Sequence, residues 1–91
     1  MPTIAEWLTI DGEQVLDGLR HAREKMETCS GELVLDFSAI QRLQPGAIRE
    51  LEALVAIADR KKAKLCLRGV NVAIYKVLKL VRLAPRLSFL A

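Results

Sequence analysis

Apolar residues follow two rhythms along this chain of 91 residues: brief continuous runs, and longer stretches in which they return every third or fourth place. The first run, Trp7-Leu8-Thr9-Ile10, predicts a short strand that Asp11 ends. Val15, Leu16, Leu19, Ala22 and Met26 then recur at helical spacing and predict a helix over 12–28 with these five as its buried stripe. Asp11, with Gln14 three places on, has the form of a capping box. Gly31 suits a left-handed turn at the helix exit.

Leu33-Val34-Leu35 and Phe37 form an apolar run too short for a helix, the pattern of a strand covered on both faces in a parallel sheet. That places Asp36 at the strand's C-terminal end. Beyond a loop over 41–46, Ile48, Leu51, Leu54, Val55 and Ala58 predict a second amphipathic helix, with Arg49, Glu50, Glu52, Asp59 and Arg60 on its wet side. Pro45 fits its first turn, where a missing N–H costs nothing. Leu65-Cys66-Leu67 predicts a further buried strand, ended by Arg68-Gly69. Asn71 is a suitable N-cap for a third helix, with Val72, Tyr75, Leu78 and Val81 lining one face and Pro85 ending it. Leu87-Ser88-Phe89-Leu90 is either a short strand or a docking tail. The alternation of strand and helix with short links predicts an α/β fold: one small domain over 1–91, with a mixed, mostly parallel sheet of about four strands and three or four helices packed on it.

Composition adds limits. Hydrophobic residues are 52% and charged ones 27%, which is globular composition. A domain of this size hides only roughly 60 to 65% of its unfolded surface, leaving little room for a large pocket. Net charge is +3, a mild excess, yet from residue 60 onward there are nine Lys/Arg and no acidic residue. Within that third, Lys76, Lys79, Arg82 and Arg86 form a basic stripe, readable as a solvated helix face or as a contact for an anionic surface. Nucleic acid is disfavoured as its partner, because one tyrosine and no stacking aromatics accompany it. Cys29 and Cys66, far apart and without a CxxC, point to free thiols rather than zinc or a disulfide. No leader is evident and no apolar run approaches the roughly 18 residues needed to span a bilayer, so a cytoplasmic protein is expected.

Candidate chemistry is sparse. Between Ser38 and Ser88 there is no serine or threonine, so the loop leading into the second helix holds no hydroxyl nucleophile or phosphate acceptor. Asp36 lacks the acidic pair, threonine and lysine that a phosphoaccepting aspartate needs, and is read with Ser38 as a structural loop in which a carboxylate accepts local N–H bonds. His21, the one histidine, falls on the polar side of its helix with no nucleophile or metal ligand to join it. Single glycines make no phosphate cradle. No catalytic residue, metal or cofactor is expected. Trp7 either covers a sheet edge or marks a contact patch.

The blocks Leu33-Val34-Leu35-Asp36-Phe37-Ser38, the helix from 48 to 58, Leu65-Cys66-Leu67-Arg68-Gly69-Val70 and Val77-Leu78-Lys79-Leu80-Val81-Arg82-Leu83 together resemble a STAS domain, the fold of bacterial anti-sigma factor antagonists. The resemblance covers roughly residues 31 to 90. It departs in the N-terminal third, where the family usually has two strands and this chain has room for one, so the sheet is reduced or a partner supplies its edge. It departs again at Gln44-Pro45-Gly46-Ala47, which stands where phosphorylatable members carry D-S-S/T-G.

The resemblance implies a non-catalytic regulatory module docking on an anti-sigma factor or switch-kinase-like protein through the loop and the head of the second helix. Polar contacts would come from Arg42, Gln44, Arg49 and Glu50, around Leu43, Pro45 and Gly46. A small STAS subunit of an ABC lipid transporter, and a basic adaptor for anionic membrane or nucleic acid, are the alternative readings.

Overall fold

The computed structural model describes residues 5–28 and 31–90, so Cys29 and the first four residues lie outside the description. In chain order the elements are β1 (Ala5–Thr9), α1 (Val15–Thr28), β2 (Glu32–Asp36), α2 (Pro45–Lys61), β3 (Lys64–Arg68), α3 (Val72–Leu80), a 3-10 turn at Ala84–Arg86 and β4 (Ser88–Leu90). The C-terminal patch is therefore a strand. The four strands form one sheet in the order β1-β2-β3-β4, and all three ladders are parallel.

Sheet order decides where the helices go. When each strand is laid beside its predecessor through a right-handed crossover, every connecting helix falls on the same face. Side chains alternate along a strand, and rungs in register share a face. Leu8, Leu35, Leu67 and Phe89 make one such rung on the helical side. Together with Leu33 and Leu65 this face meets Leu19, Ala22 and Met26 of α1, Leu51, Leu54, Val55 and Ala58 of α2, and Ile74 and Leu78 of α3 in a single core. The opposite face carries the rung Trp7, Val34, Cys66 and Ser88. Val34 and Cys66 are also buried, but they stand apart from the helical core. Above them, Arg68 of β3 reaches over β2 to place its Cζ 5.7 Å from the Trp7 ring centroid, a cation–π contact.

Several element boundaries differ from the sequence expectation. β1 begins at Ala5, earlier than expected, while Ile10 lies beyond its end and is fully buried. α1 begins at Val15, because Asp11 folds its carboxylate onto the Glu13 N–H at 2.8 Å and closes a local turn instead of capping a helix from 12. Of its expected stripe, Leu19, Ala22 and Met26 are buried, whereas Leu16 is exposed and Val15 only half-buried. The expected turn at Gly31 adjoins residues 29 and 30, outside the description.

On α3 the buried seam is Ile74 and Leu78, while Val72, Tyr75 and Val81 are exposed. Three-residue steps drift about 60° around a helix, so the expected stripe from 72 to 81 winds away from the sheet. A pair four apart stays on it.

The ends of α2 and α3 share one device. Lys62 (φ 58°) and Arg82 (φ 63°) adopt left-handed backbone. The following N–H groups close the helices backward, Ala63 to the Ala58 carbonyl and Leu83 to the Leu78 carbonyl, each at 2.9 Å. This is a Schellman arrangement with basic residues where glycine is usual. α3 thus stops at Leu80, before Pro85 is reached.

Candidate functional site

The C-terminal ends of the parallel strands present three loops side by side, the position where open α/β sheets expose their variable segments. The middle one, joining β2 to α2, carries the residues singled out in the sequence. Its root is continuous with the sheet: the Phe37 N–H donates to the Arg68 carbonyl at 2.7 Å and the Ile10 N–H to the Asp36 carbonyl at 3.1 Å. Asp36 then turns its carboxylate into the loop, where Oδ1 accepts from the Ser38 N–H at 2.9 Å and Oδ2 lies 3.5 Å from Arg68 Nη1. Hydrogen bonds from the Ser38 hydroxyl and N–H hold the carboxyl below its ordinary range; burial opposes the shift and Arg68 adds to it.

Both neighbouring loops clamp this one. A Cβ at Gly12 would fall 2.2 Å from the Ala39 carbonyl oxygen, and one at Gly69, whose φ is +73°, 2.8 Å from Ser38 Cβ. Only glycine permits those approaches. Asn71 does two jobs: its Oδ1 accepts from the Ile74 N–H at 2.8 Å and caps α3, while its Nδ2 donates to the carbonyls of Ile40 and Gln41. The loop is held by backbone and small side chains rather than by its own long ones.

Those long side chains are left outside. Gln41, Arg42, Gln44, Pro45 and Arg49 are exposed, Gly46 and Ile48 are half-buried, and Ala47 is buried. Leu43 is half-buried and packs against the core, so the apolar spot on the surface is chiefly Pro45. Gln44 occupies the N-cap of α2 without a side-chain cap bond, and Pro45 opens the helix. Arg42 and Arg49 form no ion pair among the described residues, unlike Glu50, which is held by Arg20 (3.6 Å) and Arg23 (3.0 Å) of α1. Beside the loop, facing the segment from Asp11 to Leu16, runs an open cleft of about 820 Å³ that Arg20, Arg42 and Gln44 also line.

Reactive groups are few here. Ser38 is the loop's one hydroxyl, and the Cys66 thiol, buried beside Glu32, is pushed up to about 11 by desolvation and by that carboxylate. Among the described residues no three His, Cys, Asp or Glu side chains converge to hold a metal ion, and no helix is long and apolar enough to cross a membrane. The basic stripe lies apart. Lys76, Lys79 and Arg82 are exposed with no carboxylate partner among the described residues, while Arg86 is paired with Asp59.

Sequence reasoning did not find the second bond of Asn71, the closeness of Gly12 to Ala39, the Arg68–Trp7 contact or the pairing of Glu50 with α1. Each joins residues far apart in the chain, and periodicity carries no signal for such contacts.

This layered arrangement defines a class, a one-sheet parallel α/β domain of STAS-like fold. The structure is similar to that of a Thermotoga maritima protein provisionally assigned as an anti-sigma factor antagonist, with a TM-score of 0.64 and 15% identity, covering 98% of this chain and 74% of that one. No protein-family model and no curated protein matches the sequence.

Proposed function

We propose that this chain is a regulatory protein-interaction module that docks, in the cytoplasm, through the β2–α2 loop and the head of α2, without catalysis and without a phosphoryl switch at that loop. The observation that supports the reading most is a loop clamped from both sides that still leaves Arg42, Gln44 and Arg49 exposed and uncommitted. A loop whose backbone is ordered in advance need not be ordered again when a partner binds, which lowers the entropic cost of docking. The fold it shares with a protein provisionally assigned as an anti-sigma factor antagonist supports a protein partner of the anti-sigma or switch-kinase kind.

In phosphorylatable STAS proteins, phosphate at the head of the second helix changes which surface a partner accepts, adding about −1.5 to −2 charge beside the positive helix end. Gln44, Pro45, Gly46 and Ala47 offer no acceptor for it. Docking here is then constitutive or controlled elsewhere, for example by the partner's concentration.

The test is affinity capture from the native cell with the tagged chain and with an Arg42→Glu, Arg49→Glu variant. Reversing two exposed charges at the contact slows association and replaces attraction by repulsion, so capture of the partner should fall severalfold or more. Capture unchanged by the double variant would remove this surface from consideration.

A further inference from the structure

Four of the seven large hydrophobic side chains exposed among the described residues lie on α3 and its C-terminal turn: Val72 (70% exposed), Tyr75, Leu80 (82%) and Val81. Single exposed aliphatics need no explanation, but a group of them within one short segment does. Val72, Lys76 and Leu80 follow one another at four-residue steps along the outward side of the helix, opposite the buried pair Ile74 and Leu78. Lys79 flanks this line, with its Nζ 5.9 Å from the Tyr75 ring centroid. Arg82, exposed in the left-handed turn, follows the helix in the chain. The face therefore alternates aliphatic and cationic groups and contains no acid, in a third of the chain that has none after Asp59.

From this we infer that the outward face of α3 is a docking surface for an anionic lipid bilayer. Charge complementarity selects the sign of the partner, and the aliphatics select its kind. A helix lying in the interface plane buries apolar side chains at the headgroup boundary while its lysines reach the anionic heads. Phosphates of a nucleic acid would satisfy the cations but leave Val72 and Leu80 in water. Stacking on bases would fall to Tyr75, whose ring is already set edge-on against Phe89 at 5.1 Å. With three cations that lack a carboxylate partner among the described residues and two prominent aliphatics, the attachment is weak and reversible. It also lies apart from the Arg42 and Arg49 surface, so the two can be tested separately.

The probe is flotation with vesicles of phosphatidylcholine alone and of equal parts phosphatidylcholine and phosphatidylglycerol, with duplex DNA and polyglutamate titrated in parallel. The expected result is association with the anionic vesicles alone, falling steeply between low and moderate salt. Lys76→Glu and Lys79→Glu should each lower it about fivefold or more. Leu80→Ser should weaken it about tenfold while leaving the salt dependence as it was. Unchanged circular dichroism and melting temperature would certify that every variant folds. Equal flotation with neutral vesicles, no flotation with anionic ones, indifference to Leu80→Ser, or tighter binding to DNA or polyglutamate overturns the inference.

Discussion

Asp36 concentrates the residue-scale physics of this molecule. Because its carboxyl is held below the ordinary range in the folded chain, its contribution to stability is fully present above the unfolded value near 3.8 and is lost as pH falls through the folded one. Denaturant midpoints should therefore drop between pH 5 and about pH 2 in the parent, and drop less in Asp36→Asn, which cannot titrate there. Parallel pH profiles for the two proteins would contradict the assignment. The position of Asp36 was legible from a four-residue apolar pattern, since a strand that ends in a carboxylate must turn. Its partner Arg68 was not. That residue read only as the end of another strand, and nothing local says that β3 lies beside β2 in a register opposing these two side chains.

Individual elements were readable to the extent that their signals were local. Pro45 marked the start of α2, Asn71 the cap of α3, and unbroken apolar runs the central strands. The faces of α3 were misjudged because aliphatics surround that helix, so periodicity alone could not select the pair that touches the sheet. Helix ends were missed for a related reason: no glycine announces the turns at Lys62 and Arg82. A side chain in left-handed backbone costs roughly 1 kcal/mol relative to glycine. Lys62→Gly and Arg82→Gly should each raise stability by about 0.5–1 kcal/mol in urea denaturation, even though both remove a surface cation. A loss of stability on either change would mean that the basic side chain contributes more than its backbone costs.

At the scale of the whole molecule, the sheet has a thick side and a thin one. Leu35 belongs to the core that the three helices cover, whereas Val34, equally hidden, stands outside it on the face that carries Trp7 and Arg68. Cavities in the thick side cannot close, but the thin side can settle. Leu35→Ala should cost about 3.5 kcal/mol and Val34→Ala about 1.5, a gap wider than the roughly 0.8 kcal/mol of the single methylene by which the deletions differ. Equal costs once that methylene is subtracted would mean that both sides are braced alike.

The sequential order of the strands has one more consequence. Each strand hydrogen-bonds only to those formed just before and just after it, and no rung joins residues further apart than Glu32 and Lys64. Because the entropic cost of closing a loop grows only slowly with its length, these closures cost nearly alike, and no early segment has to wait for a distant late one. Pairing can therefore spread from each strand to its neighbour, while the single core that all three helices share makes the domain fold as one cooperative unit.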